Sequence, residues 1–157
     1  MTVQGRILKT TFWLLFIVGL TGCFGGPSPT KIKGNIATSQ DVNPDIAGQP
    51  SPVVLRVYQL RSPGPFMKAD FFELYENENA TLGDNLIKSD EFYLQPNQSM
   101  EYNTKFDSDT KYVGVIAAFR DWENARWREM VSLPDKSKVY LNISLESLAV
   151  SVSTTKR

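Results

Sequence analysis

The sequence contains no histidine, a single cysteine and no surplus of either charge among its 157 residues: 17 basic side chains face 17 acidic ones. Each shortage removes a class of function. Without histidine, a Ser–His or Cys–His nucleophile pair cannot be assembled. Most protein zinc sites are also out of reach, because imidazole and thiolate are their usual ligands. A nucleic-acid binder shows a basic surplus and a high pI, so a formal charge of zero argues against one. The length fits one domain and leaves no room for two sizeable cores. What survives is carboxylate chemistry, hydrogen-bond chemistry, or a protein with no chemistry, no metal and no cofactor.

A membrane-length apolar run is missing too. From Thr10 to Gly22 there is no charged residue, and Phe12, Trp13, Leu14, Leu15, Phe16, Ile17, Val18 and Leu20 fill the middle. A spanning helix needs about 20 apolar residues, so this stretch is too short. Preceded by Arg6 and Lys9, it has the basic leader and short apolar centre of a secretory signal. It ends Leu20-Thr21-Gly22-Cys23, and small residues before the single cysteine resemble the bacterial lipoprotein box. That resemblance implies a signal peptide over residues 1–22, cleaved before Cys23, with a diacylglycerol on the thiol and an acyl chain on the new amine. One acyl chain holds a protein to lipid only weakly, and several together hold it stably. The expected mature chain has 135 residues and a net charge of −2, so no basic patch is needed to explain attachment. Phe24 rather than Asp follows the cysteine, which by the general sorting rule of Gram-negative lipoproteins implies the outer membrane, on its periplasmic face. Residues 23–30 then read as the acylated cysteine and a Gly- and Pro-rich tether. Fully extended, it reaches about 26–29 Å.

The remainder, residues 31–157, reads as mostly β. From Lys138 to Glu146, Val139, Leu141, Ile143 and Leu145 alternate with polar residues, the pattern of a half-buried strand. Leu148, Val150 and Val152 continue it, and a turn at Glu146-Ser147 would set Leu145 opposite Leu148 and Ile143 opposite Val150. Val53 to Leu60 is apolar on nearly both faces and is expected to be central. Tyr112–Phe119, Arg126–Leu133 and Lys31–Ser39 read as further strands, with Gly114 a thin spot in the first. Phe92 and Leu94, then Met100, Tyr102, Thr104 and Phe106, read as two more, joined through Pro96-Asn97-Gln98-Ser99. About eight strands with short turns suggest a two-sheet sandwich. The exception runs from about residue 62 to 86: after Ser62-Pro63-Gly64-Pro65, Met67, Phe71 and Leu74 follow at helical spacing, predicting a short amphipathic helix with those three side chains buried.

Asp84, Asp90, Glu91, Asp107, Asp109 and Asp121 offer carboxylates for a glycosidase-like pair, but most lie in turn-like stretches. Asp107-Ser108-Asp109 hints at calcium, yet an oxygen cage needs more ligands at fixed spacing. Arg120, Asp121, Trp122, Arg126, Trp127 and Arg128 form a cluster of types enriched in binding hot spots, with core packing as the simpler reading. Gln40 to Pro52 is different, because thirteen residues between two strands, with no obvious element of their own, are uncommon in a compact domain. Asn43-Pro44-Asp45 nucleates a turn there and Pro50-Ser51-Pro52 stiffens the return. A pre-stiffened loop loses less entropy on docking. Its ionisable groups are Asp41 and Asp45 alone, which suits a basic partner surface.

Several of these segments together resemble the type VI secretion lipoprotein family, TssJ. They are Asn43-Pro44-Asp45 with Gly48 and Pro50-Ser51-Pro52, the strand at Val53–Leu60, Ala69-Asp70-Phe71-Phe72 with Leu74-Tyr75, and Tyr112-Val113-Gly114-Val115 through Phe119-Arg120-Asp121. Their order covers essentially the whole mature chain. The resemblance implies an all-β, transthyretin-like (immunoglobulin-like) two-sheet β-sandwich with a small helical insertion. It also implies a non-enzymatic role: recruiting the periplasmic domain of the inner-membrane subunit TssM, which with TssL forms a trans-envelope complex. In the family, the loop between the first two strands makes that contact. Carried to this chain, the contact residues are Asp41, Asn43, Pro44, Asp45, Ile46, Gly48 and Gln49, with Cys23 as the lipid attachment. Two rivals stand beside this reading. One is a carboxylate-dependent hydrolase, and the other is a small-ligand or glycan binder using Tyr93 and Tyr140 on outward strand positions.

Overall fold

The computed structural model describes residues 28–135 and 138–155. The expected signal peptide, Cys23 and the tether up to Pro27 lie outside the described residues.

Among the described residues, nine strands form two sheets: β1 (Thr30–Thr38), β2 (Val53–Leu60), β3 (Leu86–Leu94), β4 (Ser99–Glu101), β5 (Thr104–Phe106), β6 (Tyr112–Ala118), β7 (Arg128–Ser132), β8 (Lys138–Glu146) and β9 (Ala149–Thr155). The first sheet runs β4–β1–β8–β9, with β5 on the same edge of β1 as β4. The second is antiparallel, β3–β2–β6–β7. This is the two-sheet sandwich that the alternation implies. β1 begins at Thr30, the residue read above as the end of the tether. The stretch from Met100 to Phe106 is two short strands rather than one, because the chain breaks at Tyr102-Asn103, where the Tyr102 amide donates to the Gly34 carbonyl at 2.8 Å.

Facing alternate residues of both sheets make the core. Ile32, Ile36, Leu141, Ile143 and Leu145 from one sheet meet Leu55, Val57, Val113 and Val115 from the other. A second apolar cluster lies on the outer side of the β3–β2–β6–β7 sheet, where Tyr58, Leu60 and Ile116 pack against Phe66, Ala69, Leu74 and Leu82. That cluster explains why β2 is apolar on both faces: one side meets the other sheet and one meets helices. Among the described residues no helix covers the outer face of the β1 sheet, and most of the residues on it are polar.

The helical excursion is three short helices, α1 (Gly64–Lys68), α2 (Phe71–Glu76) and α3 (Glu78–Leu82), followed by a 3₁₀ turn at Gly83–Asn85. A single helix through Met67, Phe71 and Leu74 does not form. Ala69 is extended, and Asp70 restarts the chain with a capping box: its carboxylate accepts from the Glu73 amide at 2.8 Å while Glu73 accepts from the Asp70 amide at 2.9 Å. The break rotates α1 relative to α2, so Phe66 is buried and Met67 is half exposed. Met67→Ala is therefore expected to change unfolding free energy by less than about 0.5 kcal/mol in urea titrations, as for an ordinary surface position. Gly114 also has a specific role. A methyl group there would lie 2.7 Å from the buried Phe66 ring, so the glycine is the seat that lets α1 dock.

Charged groups pin the excursion to the sheet. Arg56 on β2 donates to the Tyr75 carbonyl at 2.6 Å, pairs with Glu91 on β3 and reaches Glu78 at 3.4 Å. Arg128 on β7 donates to the carbonyls of Phe66 and Ala69, at 2.8 and 2.7 Å, satisfying the end of α1. The Glu91 carboxyl is held below the usual range, chiefly by the hydrogen bond from Arg56 and then by that from Tyr93. A lowered carboxylate pKa supports the fold above the unfolded-state value, and that support is lost as pH falls through the folded-state value. Glu91→Gln should accordingly flatten the fall in stability on the acid side of about pH 4.5, as read by urea unfolding across that range.

Candidate functional site

The segment between β1 and β2 covers residues 39–52 and closes on itself at one end of the sandwich. Its root is fixed from inside: Val42 is fully buried in the main core, and the Ser51 amide donates to the Val42 carbonyl at 3.1 Å. Asn43 is the brace. It is 2% exposed and adopts a positive φ of 51°, a conformation that asparagine tolerates better than most residues. Its amide donates to the Ser147 carbonyl at 2.8 Å, its Nδ2 donates to the Pro52 carbonyl at 2.6 Å, and its Oδ1 accepts from the Arg120 amide at 2.8 Å. One residue thus ties together three segments: its side chain joins the β1–β2 loop to the β6–β7 connection, and its backbone amide adds the β8–β9 turn.

The tip is a closed turn built around Asp45. Its carboxylate Oδ1 accepts from the amides of Ala47 and Gln49 at 2.8 and 2.9 Å. Its own amide donates to the Gln49 carbonyl and its carbonyl accepts from the Gly48 amide, both at 2.9 Å. Gly48 supplies a φ of +76° that lets the chain reverse. Asp45 and Gly48 therefore shape the tip. Asp41 accepts from the Ser39 hydroxyl at 2.6 Å near the root, and Gln49 is exposed with its backbone held in the turn. Ile46, at the summit, has a relative exposure of 109%. A large aliphatic side chain held outward by a rigid turn has nothing of its own fold to contact.

Beside the tip lies an open groove of about 610 Å³, lined by Pro44, Asp45, Ile46, Arg120, Asp121 and Leu148. Leu148 is a contributor that the alternation misplaced. The β8–β9 register pairs Leu145 with Val150 and Ile143 with Val152, so the turn is Ser147-Leu148 rather than Glu146-Ser147. The slip is two residues, which keeps every side chain on its face. Leu148 is thereby released from the ladder and half buried at the groove wall, while its carbonyl accepts from the Arg126 amide at 2.9 Å.

The Arg/Trp cluster divides. Trp122 stacks on Phe71, with centroids 5.8 Å apart, and meets Phe72 edge-on at 5.1 Å. Trp127 meets Phe71 edge-on and lies under the Arg128 guanidinium at 4.8 Å. These three are packing residues that join the helices to the sandwich. Arg120 and Asp121 instead face the groove.

The other candidates are dispersed. Asp90 accepts from the Tyr102 hydroxyl at 2.7 Å and pairs with Lys88, Asp109 pairs with Arg61, and Asp121 accepts from the Asn124 side chain at 2.9 Å. Asp107-Ser108-Asp109 forms a turn in which the Asp107 carboxylate accepts from the Asp109 amide at 2.9 Å. Buried Gln59, which the sequence did not single out, holds that turn by accepting from the Asp107 amide and the Thr110 hydroxyl at 2.9 and 3.1 Å. Tyr93 stands on β3 and Tyr140 on β8, so the two belong to different sheets.

Comparison with known proteins agrees with this architecture. Among curated protein sequences none matches significantly. The crystal structure of the type VI secretion lipoprotein TssJ1 from Pseudomonas aeruginosa is 32% identical, over 83% of this chain and 99% of its own, with a TM-score of 0.78. Lip from Serratia marcescens, a membrane-bound component of the type VI secretion system, is 27% identical over 83% of this chain and 100% of its own, with a TM-score of 0.74. A chain in the structure described as the T6SS protein TssM C-terminal domain (869–1107) from EAEC is 25% identical over 78% of this chain and 97% of its own, with a TM-score of 0.64. The family model for the type VI secretion lipoproteins (VasD, EvfM, TssJ) matches residues 30–148, nearly the whole sandwich. With its two sheets, its helical insertion and that match, the chain belongs to the type VI secretion lipoprotein family.

Proposed function

We propose that this chain is a non-catalytic lipoprotein of the outer membrane's periplasmic face, anchored through acylated Cys23, whose β1–β2 loop docks the periplasmic domain of TssM. The observation that carries the reading is Ile46, fully exposed at the summit of a turn closed by four hydrogen bonds around Asp45. Such a side chain is an anchor awaiting a pocket, and the groove beside it gives a partner's edge a place to lie. Because Asn43 and Asp45 hold the loop before any partner arrives, little ordering entropy is lost on binding. TssM is the named partner because of the likeness to a chain in the structure described by that subunit's C-terminal domain. Anchoring one partner and confining the other to the same periplasmic gap raises their effective concentration, so a modest pairwise affinity suffices.

Affinity capture of the tagged chain from detergent-solubilised envelopes is expected to recover TssM. Recovery of the chain without TssM would overturn the docking role. Acylation of Cys23 is read directly from the mass of its peptide.

A further inference from the structure

The mature chain's slight net acidity conceals a separation of charge along the sandwich. Lys31 is the second residue of β1, and its register partners on both sides are also lysines: Lys105 on β5 and Lys138 on β8. All three are exposed, on the outer face of the β1 sheet, which no helix among the described residues covers. Adjacent strands lie about 4.8 Å apart, so the three lysines stand side by side across the sheet. Like charges directly opposite one another cost a sheet stability. Lys33, two residues along, joins them on the same face beside Tyr140. Among the described residues, Lys31, Lys33 and Lys105 make no ion pair, and Lys138 lies over the Tyr140 ring at 5.2 Å. Asp84, Asp107, Asp109 and Asp135 at the same end sit in turns and connections, and Asp109 is paired with Arg61. The opposite end is acidic: its loops carry Asp41, Asp45, Asp121 and Glu123, with Glu146 at the end of β8, against Arg120 and Arg126.

The lysine row stands where the chain enters the fold. Thr30 lies seven chain steps from Cys23, a reach of at most about 25 Å. If Cys23 is acylated, the part of the domain closest along the chain to the lipid surface is the row itself. We infer that the Lys31–Lys33–Lys105–Lys138 face binds anionic phospholipid headgroups of the anchoring membrane. That contact orients the domain, with its acidic loop end repelled from the same surface and directed into the periplasm. The inference rests on the anchoring reading and adds an orientation to it. Lysine phosphate contacts at a membrane surface strengthen binding about fivefold per residue, and the effect is screened by salt.

The test uses the acylated chain in vesicles of phosphatidylethanolamine with phosphatidylglycerol, and in vesicles of phosphatidylcholine alone. Amine labelling followed by peptide mass spectrometry reads each lysine. Lys31, Lys33, Lys105 and Lys138 are expected to label at least fivefold more slowly on the anionic vesicles, relative to Lys68 on α1. The difference should vanish in high salt, and at the remaining Lys33 it should vanish in a Lys31→Gln, Lys105→Gln, Lys138→Gln variant, whose fold is checked by circular dichroism. Equal labelling on both vesicles overturns the inference. So does protection found in intact envelopes but not on vesicles, which would assign the face to a protein. Absence of acyl chains on the Cys23 peptide would sink the anchoring reading separately. The lysine face is then decided by whether the chain pellets more with anionic than with zwitterionic vesicles.

Discussion

Ile46→Asp is expected to abolish measurable binding to the TssM periplasmic domain while leaving the fold intact. The two halves of that expectation come from the same observation. At 109% relative exposure the side chain is buried by none of the described residues, so the substitution should shift unfolding free energy by no more than about 0.5 kcal/mol. Once seated in a partner's pocket, a buried isoleucine contributes roughly 1.5–3 kcal/mol. Truncation by Ile46→Ala alone should therefore weaken binding about 10- to 150-fold. Aspartate adds an uncompensated charge in a desolvated site, which takes the loss further. Isothermal titration with the purified TssM domain measures both variants. Wild-type affinity in Ile46→Asp would move the contact off the loop tip.

Asn43→Ala is expected to lower stability by about 2–4 kcal/mol, because it removes both hydrogen bonds of a buried side chain and leaves two part-buried backbone groups without that partner. The Pro52 carbonyl would lose its donor at 2.6 Å and the Arg120 amide its acceptor at 2.8 Å. In a domain of this size the corresponding fall in Tm is roughly 5–15 °C. Asn43→Gly separates the causes. Glycine accepts the φ of 51° without strain, so a loss that persists in glycine belongs to the hydrogen bonds and not to the backbone angle. Because Asn43 joins three loops, both variants should also weaken TssM binding, although the side chain itself faces inward. If Asn43→Ala unfolds at the wild-type temperature, the brace assigned to it does not exist.

Strands were legible where burial repeats along the chain. β2 and β8 begin and end where the apolar pattern does, at Val53–Leu60 and Lys138–Glu146, because each such strand must hide alternate residues against the facing sheet. The double-sided apolarity of β2 likewise foretold its central place. The helices were less legible, since a count of apolar spacings assumes an unbroken helix. The capping box Asp70-x-x-Glu73 is the signal that the chain stops and restarts between Met67 and Phe71.

At the loop, length and proline content marked the segment, but the division of labour within it was not readable. Asn43 serves as a brace only because Arg120, 77 residues away, and Ser147 are brought to it by the two sheets. Asp45 looks like a charge offered to a partner until its carboxylate is seen accepting two amides of its own turn. Leu148 enters the groove wall through a two-residue register slip that leaves the face pattern unchanged, and so leaves no trace in the alternation.

A photo-crosslinking amino acid placed at position 46 and activated in intact cells tests the central claim most directly. The loop-docking account predicts a single dominant adduct between this chain and the periplasmic domain of TssM, lost when the same probe is moved to the half-exposed position 67 on α1. An adduct to TssM from position 67 but not from position 46 would contradict it.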